Sequence, residues 1–520
     1  MKLPNSSKSL WIETHKGGRF PSLESDLTVD VAVVGGGITG LTAATLLKRA
    51  GLSVAVIEAE RVAEGVSGAT TAHLTEAFDR SYLDLIADFG EDGARRAAES
   101  GRAALLQIVA FVREQRIDCD FSRLPAFQYT EDPHVVPEFE AERAAAARIG
   151  VKLTLTREVP LPFKVAGALR FDNQAQFHPR RYLLPLALAI PGGGSHVFEE
   201  TRVADIEDAT PCRVVTETAT LTARDVIVAT HVPFQSLVLQ TKVAQYRSYV
   251  LALRMKSGAV PPTGLFWDTE DPYHYIRSQT TDKGPLLLVG GEDHKTGQEQ
   301  DTLGCFEALL DFASRHFRVT SVAYRWSAQV LEPVDGLPSI GRDLGSQHVY
   351  VATGYSGTGM TLGTLAGMLN SDLILGRENP CKDLYDPNRF KPAASIVDYV
   401  KENLSFPVHL VADRLKSPGA ASLAEVARGE GKIVEIAGEK TAVFRDEHGL
   451  LHAVSPVCTH MGCLVAFNDA EKTWDCPCHG SRFDKDGKVF DGPATRPLES
   501  RRDTAVVHDQ TPAEVVGRVL

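Results

Sequence analysis

Val33-Val34-Gly35-Gly36-Gly37-Ile38-Thr39-Gly40 decides how the first part of this 520-residue chain is read. It contains G-x-G-x-x-G at Gly35, Gly37 and Gly40. Alone, that string does not define a site. Here the run before it, Val29–Val34, is short and mostly apolar, as suits a buried strand, and Ile38–Ala50 has helical spacing with good helix formers. Gly51 punctuates, Ser53–Glu58 reads as the next strand, and Glu58 falls eighteen residues after Gly40. That is the strand–turn–helix–strand setting that dinucleotide binding requires. Gly35 permits the tight turn, Gly37 lets the backbone approach a pyrophosphate, and Gly40 lets helix and strand pack closely. Ile38 and Thr39 open the helix, whose N–H groups and positive dipole end suit phosphate oxygens. Glu58 is placed to accept hydrogen bonds from ribose hydroxyls.

Outward from this unit, Tyr82–Gln115 reads as a long helix and Glu138–Ile149 as another, while Asp225–Ala229 and Val349–Thr353 read as apolar strands ending in turns. Residues before Leu27 show little periodicity. Gly357–Gly376 is the most membrane-like stretch, but its glycines and Asn370, Ser371 and Asp372 point to a buried helix. After it, a polar, proline-bearing run ends the first unit. Ser395–Leu404 reads as helical, and Ser417–Ala420 as linker. From about Ser422 a small domain begins, and KIVEIAG, KTAVFRD and LLHAVSP have the alternation of short β-strands.

Hydrophobic residues make up 43% and charged residues 23%, as in ordinary globular proteins. A net charge of −12 argues against a nucleic-acid partner, which needs a basic face. No apolar leader is seen at the N-terminus and no spanning segment elsewhere, so a cytoplasmic protein is expected.

Of eight cysteines, Cys119, Cys212, Cys305 and Cys381 are scattered, while Cys458, Cys463, Cys476 and Cys478 cluster. The cluster reads Cys458-Thr459-His460-Met461-Gly462-Cys463, then twelve residues, then Cys476-Pro477-Cys478-His479-Gly480-Ser481. Two Cys and two His would suit zinc. Zinc would leave the two further cysteines of the motif unexplained.

The spaced motif C-x-H-x-x-C…C-x-C-H-G-S resembles the Rieske family over about residues 419–513. The resemblance implies a [2Fe–2S] cluster with Cys458 and Cys476 on one iron and His460 and His479 on the other. Replacing two thiolates by neutral imidazoles raises the potential, to roughly −150 to +300 mV. Cys463 and Cys478 match the positions of a loop-clamping disulfide in relatives of the respiratory cytochrome bc type. Reduced thiols stay open as the alternative in a cytoplasmic protein. Ser481 matches a serine that donates to a bridging sulfide in high-potential relatives. Phe483 stands where those relatives carry a tyrosine donor, so a potential below theirs is expected.

The glycine fingerprint does not choose between FAD and NAD. No second fingerprint supports NAD, and Pro191-Gly192-Gly193-Gly194 reads as a turn. Downstream, Trp326 is followed by Glu332–Gly341 and by Val349-Tyr350-Val351-Ala352-Thr353-Gly354-Tyr355-Ser356-Gly357-Thr358-Gly359-Met360. Residues 29–376 resemble the D-amino-acid/glycine oxidase family of flavoproteins. The resemblance implies FAD, with the helix N-terminus at Gly354, Gly357, Gly359, Met360 and Thr361 facing the flavin ring. It also implies a middle strand ending at Ala229 and Thr230, and an adenine-side backbone contact at Val203. Ser67, Thr70 and Thr71, in Gly65–His73, fall where relatives hold a loop against the flavin. His73 is read as a core or supporting histidine, with covalent attachment to flavin left open.

The expected architecture is an α/β (α+β), FAD-binding Rossmann-like fold with an inserted substrate domain over residues 1–385, a linker over 386–418, and a small all-β Rieske domain over 419–513. The expected activity is oxidation of a small-molecule amine or amino acid at a C–N bond. Electrons would leave the flavin through the cluster to an external acceptor, such as a soluble carrier protein or quinone. The alternative is an electron-transfer component or reductase in which the cluster feeds the flavin or a partner enzyme. Candidate substrate-side groups are Tyr355, His294, Tyr275 and Arg325. Each has a structural alternative, such as Tyr355 packing over the ring or Arg325 forming a surface ion pair.

Overall fold

The computed structural model describes residues 1, 3–4, 7–389, 422–436 and 438–501. The expected helix Ser395–Leu404, most of the expected linker and the end of the expected C-terminal domain lie outside the described residues. The chain forms two compact units: Met1–Asp293 with Phe306–Asp398, and His294–Cys305 with Tyr399–Leu520.

The first unit is built on two sheets. The first sheet runs Ser339–Arg342, Val349–Thr353, Thr220–Val228, Leu27–Val34, Val54–Ile57, His196–Phe198, and the hairpin Val203–Glu207/Cys212–Thr216 extends from Thr220–Val228. Its central pairings are parallel, with Val31–Val34 opposite Val54–Ile57 on one side and Asp225–Val228 on the other. Strands buried on both faces read as continuous apolar runs, which is why Val54–Ile57 and Val349–Thr353 carry no alternation. The helices Ile38–Arg49 and Gly359–Ile374 pack against each other. Most of the second helix is buried, as its small residues suggest.

The second sheet runs Val319–Pro333, Val243–Met255, Leu286–Lys295, His274–Gln279, Leu265–Trp267, Ser122–Thr130, Gly167–Gln176, His73–Leu74, with Leu153–Thr156 also on Gly167–Gln176. Side chains alternate across it. Ser248, Val250 and Trp326 lie on one face, and Arg247, Tyr249 and Arg325 on the other. The helix Thr302–His316 covers the latter face through Phe306, whose ring is 4.9 Å from that of Tyr249 and 5.0 Å from the Arg325 guanidinium. The expected long helix spans Tyr82–Glu114 but is broken at Gly90, whose φ of 73° no helical residue adopts. The stretch before Leu27, which shows little periodicity in sequence, is nonetheless structured. It includes a short helix, Leu10–Thr14, that buries Trp11.

The second unit holds two small antiparallel sheets: Gly431–Ile436, Glu439–Arg445, Leu451–Val454, and Ala466–Asn468, Thr473–Asp475, Arg482–Phe483, Val489–Asp491. An apolar core of Val434, Val443 and Leu451 fills the first. A second core gathers Trp474 and Phe483 with Cys458 and Cys476.

Candidate flavin and iron–sulfur sites

The glycine turn follows the strand Leu27–Val34. Gly35 has φ 114°, and a Cβ there would come within 2.4 Å of Ala229 O. A Cβ on Gly40 would come within 2.0 Å of Gly35 O, and one on Gly37 within 2.9 Å of Ser67 Oγ. Ala229 and Thr230 thus border the turn. Ser67 Oγ accepts from Ile38 N–H at 3.0 Å, at the mouth of the helix. Glu58 accepts from the Gly36 amide at 2.8 Å and the Glu60 amide at 3.0 Å. Burial pushes its carboxyl above the ordinary glutamate range, and these amides partly oppose that. Val203 opens the strand Val203–Glu207 and pairs with Thr216.

The downstream turn is tied to the same place. Tyr355 OH lies 3.0 Å from Thr39 Oγ1, and this places the phenol in the packing of the two helices. Gly354 adopts φ 78°. Thr361 Oγ1, in the first turn of Gly359–Ile374, is buried with no hydrogen-bond partner among the described residues, and Met360 is buried beside it. The loop between is held by its carbonyls: Ser9 Oγ donates to Gly68 O, Trp326 Nε1 to Ala69 O and Trp11 Nε1 to Thr70 O, each at 2.6 Å. Thr70 Oγ1 accepts from Ala72 N–H at 3.0 Å. Arg277 donates to Thr71 O at 2.7 Å. Thr71 Oγ1 lies 3.1 Å from His73 Nδ1. Burial lowers His73 to about 3, so its ring is neutral. The cradle closed to any Cβ, the helix N-terminus and the orphaned Thr361 hydroxyl fit a bound dinucleotide flavin.

Beyond Gly357 the structure assembles groups that no motif announces. Asp79 accepts from Gly357 N–H at 2.5 Å. Asp293 accepts from Ser248 and Tyr273 hydroxyls. Ser248 Oγ is 2.9 Å from Tyr275 OH, and the Tyr275 ring lies across Gly290, where a Cβ would meet it at 2.2 Å. Tyr275 also meets His73 edge-on at 5.8 Å. Burial first, then Asp79 and Glu292, raise Asp293 to about 7, and its Oδ1 is buried without a hydrogen-bond partner. Burial likewise raises Asp79.

The four candidates named from sequence are therefore dispersed. Tyr275 belongs to this group. Tyr355 is held by Thr39. Arg325 lies on the opposite face of its sheet from Trp326, and its bond to the aromatic ring of Phe306 is a cation–π contact. His294 falls in the second unit, where its Nδ1 is 2.9 Å from Lys295 O.

In the second unit, two loops converge. The Cys476 thiol hydrogen-bonds to Cys458, which lowers Cys458 to about 7. Amides of His460 and Met461 point at Cys458, and those of Cys478 and His479 at Cys476. The His460 and His479 rings stand perpendicular with centroids 5.0 Å apart. Burial lowers both histidines, His479 to about 4, so both imidazoles are neutral donors. His460 Nε2 is buried without a hydrogen-bond partner among the described residues. Cys463 and Cys478 are joined as a disulfide with Cα atoms 6.5 Å apart, bridging the loops. Two thiols, two neutral imidazoles and amides aimed at sulfur fit a [2Fe–2S] cluster. Ser481 is fully buried and its Oγ accepts from Ala494 N–H at 3.0 Å, pinning the loop that follows Pro493.

A doubly bordered glycine turn on a parallel sheet, followed by a two-loop Cys/His site, defines a flavoprotein fused to an iron–sulfur domain. Residues 30–373 match the model of the FAD dependent oxidoreductase family (DAO) and residues 419–502 that of the Rieske [2Fe-2S] domain, and the chain belongs to this FAD-dependent oxidoreductase family. It is an FAD-dependent oxidoreductase that binds FAD in the first domain and a [2Fe–2S] cluster in the second. YhfW of Bacillus subtilis (strain 168), described as a Rieske 2Fe-2S iron-sulfur protein, is 36% identical over 92% of this chain and 94% of its own. Gamma-glutamylputrescine oxidoreductase of Escherichia coli (strain K12) is 27% identical over 74% of this chain and 90% of its own. Glycine oxidase from Geobacillus kaustophilus shares the fold, with a TM-score of 0.60 at 20% identity, covering 70% of this chain and 99% of that one. Among the described residues, no helix is long and apolar enough to cross a membrane.

Proposed function

We propose that this oxidoreductase oxidises an amine, or an amino acid through its amine end, at a C–N bond, and that electrons leave through the cluster to an external acceptor. Flavin when bound accepts two electrons from a C–H bond, and a Rieske cluster carries one at a time. The chain's own residues supply the rest. Gly35, Gly37, Gly40, Glu58, Ser67 and Thr361 would hold FAD, and Cys458, His460, Cys476 and His479 the cluster.

The observation that carries the amine reading is the pair Asp79 and Asp293, gathered with Tyr273, Tyr275 and Ser248 beside Gly357. The charges that act most on Asp293 are themselves negative. A buried carboxylate among carboxylates is costly until a cation joins it, and an ammonium group is such a cation. Asp293 Oδ1 is open to accept an ammonium N–H. With a pKa of about 7 the same carboxylate can take a proton from the substrate near neutral pH, leaving the amine lone pair that C–N oxidation needs. Gamma-glutamylputrescine, the compound in one relative's name, carries such an amine.

The test is anaerobic bleaching of the flavin by a panel of primary and secondary amines, amino acids and neutral alcohols. Bleaching by amines, followed by reduction of the cluster, is expected. Reduction by a reduced carrier protein and by none of the small molecules would replace this reading with that of an electron-transfer component.

A further inference from the structure

The second unit contains a stretch from far upstream, His294–Cys305, and its contacts fall on the cluster's second loop. Gly297 has φ 73°, and a Cβ there would come within 2.8 Å of Pro477 N, 2.9 Å of Asp475 O and 3.0 Å of the Cys476 carbonyl carbon. Its backbone therefore lies flat against the residues on either side of the ligand Cys476. Gln298 Nε2 donates to Pro477 O at 3.4 Å. Thr302 Oγ1 lies 2.8 Å from Asn468 Oδ1 and 2.5 Å from Asp469 Oδ1, and accepts from Ala470 N–H at 3.0 Å. Asp469 Oδ1 accepts from Leu303 N–H at 3.2 Å. Asn468 Nδ2 in turn donates to Asp475 Oδ2 at 3.0 Å. A continuous path of hydrogen bonds thus runs from Thr302 through Asn468 to Asp475, the residue before Cys476.

We propose that residues 294–305 are a third cluster-holding segment, a positioning wall that Gly297, Gln298 and Thr302 set against the Cys476–His479 loop. The two motif loops supply the ligands, and this segment fixes one of them and keeps water from its outer side. Two thiolates and two imidazoles leave a cluster that gains net negative charge on reduction, and a drier loop disfavours that charge. The wall therefore holds the cluster's potential down. Sequence carries no hint of it, because the segment lies more than 150 residues before the first ligand.

The test uses the full-length protein loaded with both cofactors. Gly297→Val displaces the wall, Gln298→Ala removes one bond, and Thr302→Val keeps the shape of residue 302 while removing the hydroxyl. Iron and flavin content, the EPR spectrum of the reduced cluster and its midpoint potential are measured for each. The expected result is a raised potential and shifted EPR lines, largest for Gly297→Val, with flavin content at the parent level. Loss of iron with flavin retained in Gly297→Val also supports the wall. If that variant loses both cofactors, Gln298→Ala and Thr302→Val decide. Full iron content with the parent's potential and EPR spectrum in those two overturns the proposal.

Discussion

Asp293→Asn removes one carboxylate from the Tyr273–Tyr275–Ser248 group with almost no change of shape. A substrate ammonium about 4 Å from Asp293 would gain about 4 kcal/mol at an effective dielectric of about 20. Stripping water from both charges takes part of that back, so about 2–3 kcal/mol, or about 30- to 150-fold in amine affinity, is the expected loss. The pH dependence follows from the direction of the shift. Burial lifts Asp293 to about 7, so in the free protein it is neutral below that pH and charged above it. Amine affinity therefore rises as pH increases through about 7, and this step vanishes in Asp293→Asn. Stability runs the other way. A folded-state pKa above the usual 3.8 gives a contribution present below about 4 and lost as pH rises through about 7. The substrate-free variant is thus more stable than its parent at pH 8, by about 2 kcal/mol after allowance for relaxation of the site. Stopped-flow bleaching of the flavin against amine concentration from pH 6 to 9 measures the first effect, and thermal unfolding the second. Equal concentration dependence in variant and parent at pH 8 would refute the role of Asp293.

Gly35→Ala places a methyl group 2.4 Å from Ala229 O at φ 114°, so flavin is expected to be lost while the EPR signal of the cluster persists. Phe483→Tyr supplies a hydroxyl in the core that holds Cys458 and Cys476. If it donates to a ligand sulfur, about 1–2 kcal/mol of extra stabilisation of the reduced state raises the midpoint potential by about 40–90 mV. An unchanged or lower value in a redox titration would count against that donor's role. Arg482→Leu removes a buried guanidinium that pairs with Asp475 at 3.0 Å and Glu471 at 2.5 Å. Breaking such a network costs about 3–5 kcal/mol, so iron should be lost at a lower temperature than flavin in a thermal series.

What was legible in sequence is what folds locally. The glycine turn, its helix and the two flanking strands lie within thirty residues, and the four expected cluster ligands within twenty-two, so each motif stands whole in one stretch of sequence, where the family resemblance supplies the roles. The proposed substrate side is different. Asp79, Ser248, Tyr273 and Asp293 come from four separate segments: Ser248 and Asp293 lie on strands of the second sheet, Tyr273 just precedes one, and Asp79 is held in a loop by Gly357 N–H. Register decides that Arg325 and its neighbour Trp326 point to opposite faces, and a one-residue change would exchange them. Trp11 was hidden for a similar reason: five helical residues show no useful period, and the importance of Trp11 lies in the loop to which it returns.

That loop has a consequence for how flavin retention reports on the protein. Its carbonyls at Gly68, Ala69 and Thr70 are claimed in turn by residues 9, 326 and 11. The loop is therefore fixed only when residues 9–11, the loop itself and residue 326 have met. A change at Ser9 or Trp11 would therefore loosen the loop from outside the glycine turn. With the loop walling the flavin as proposed, flavin retention would report at once on three parts of the first unit that are distant in sequence.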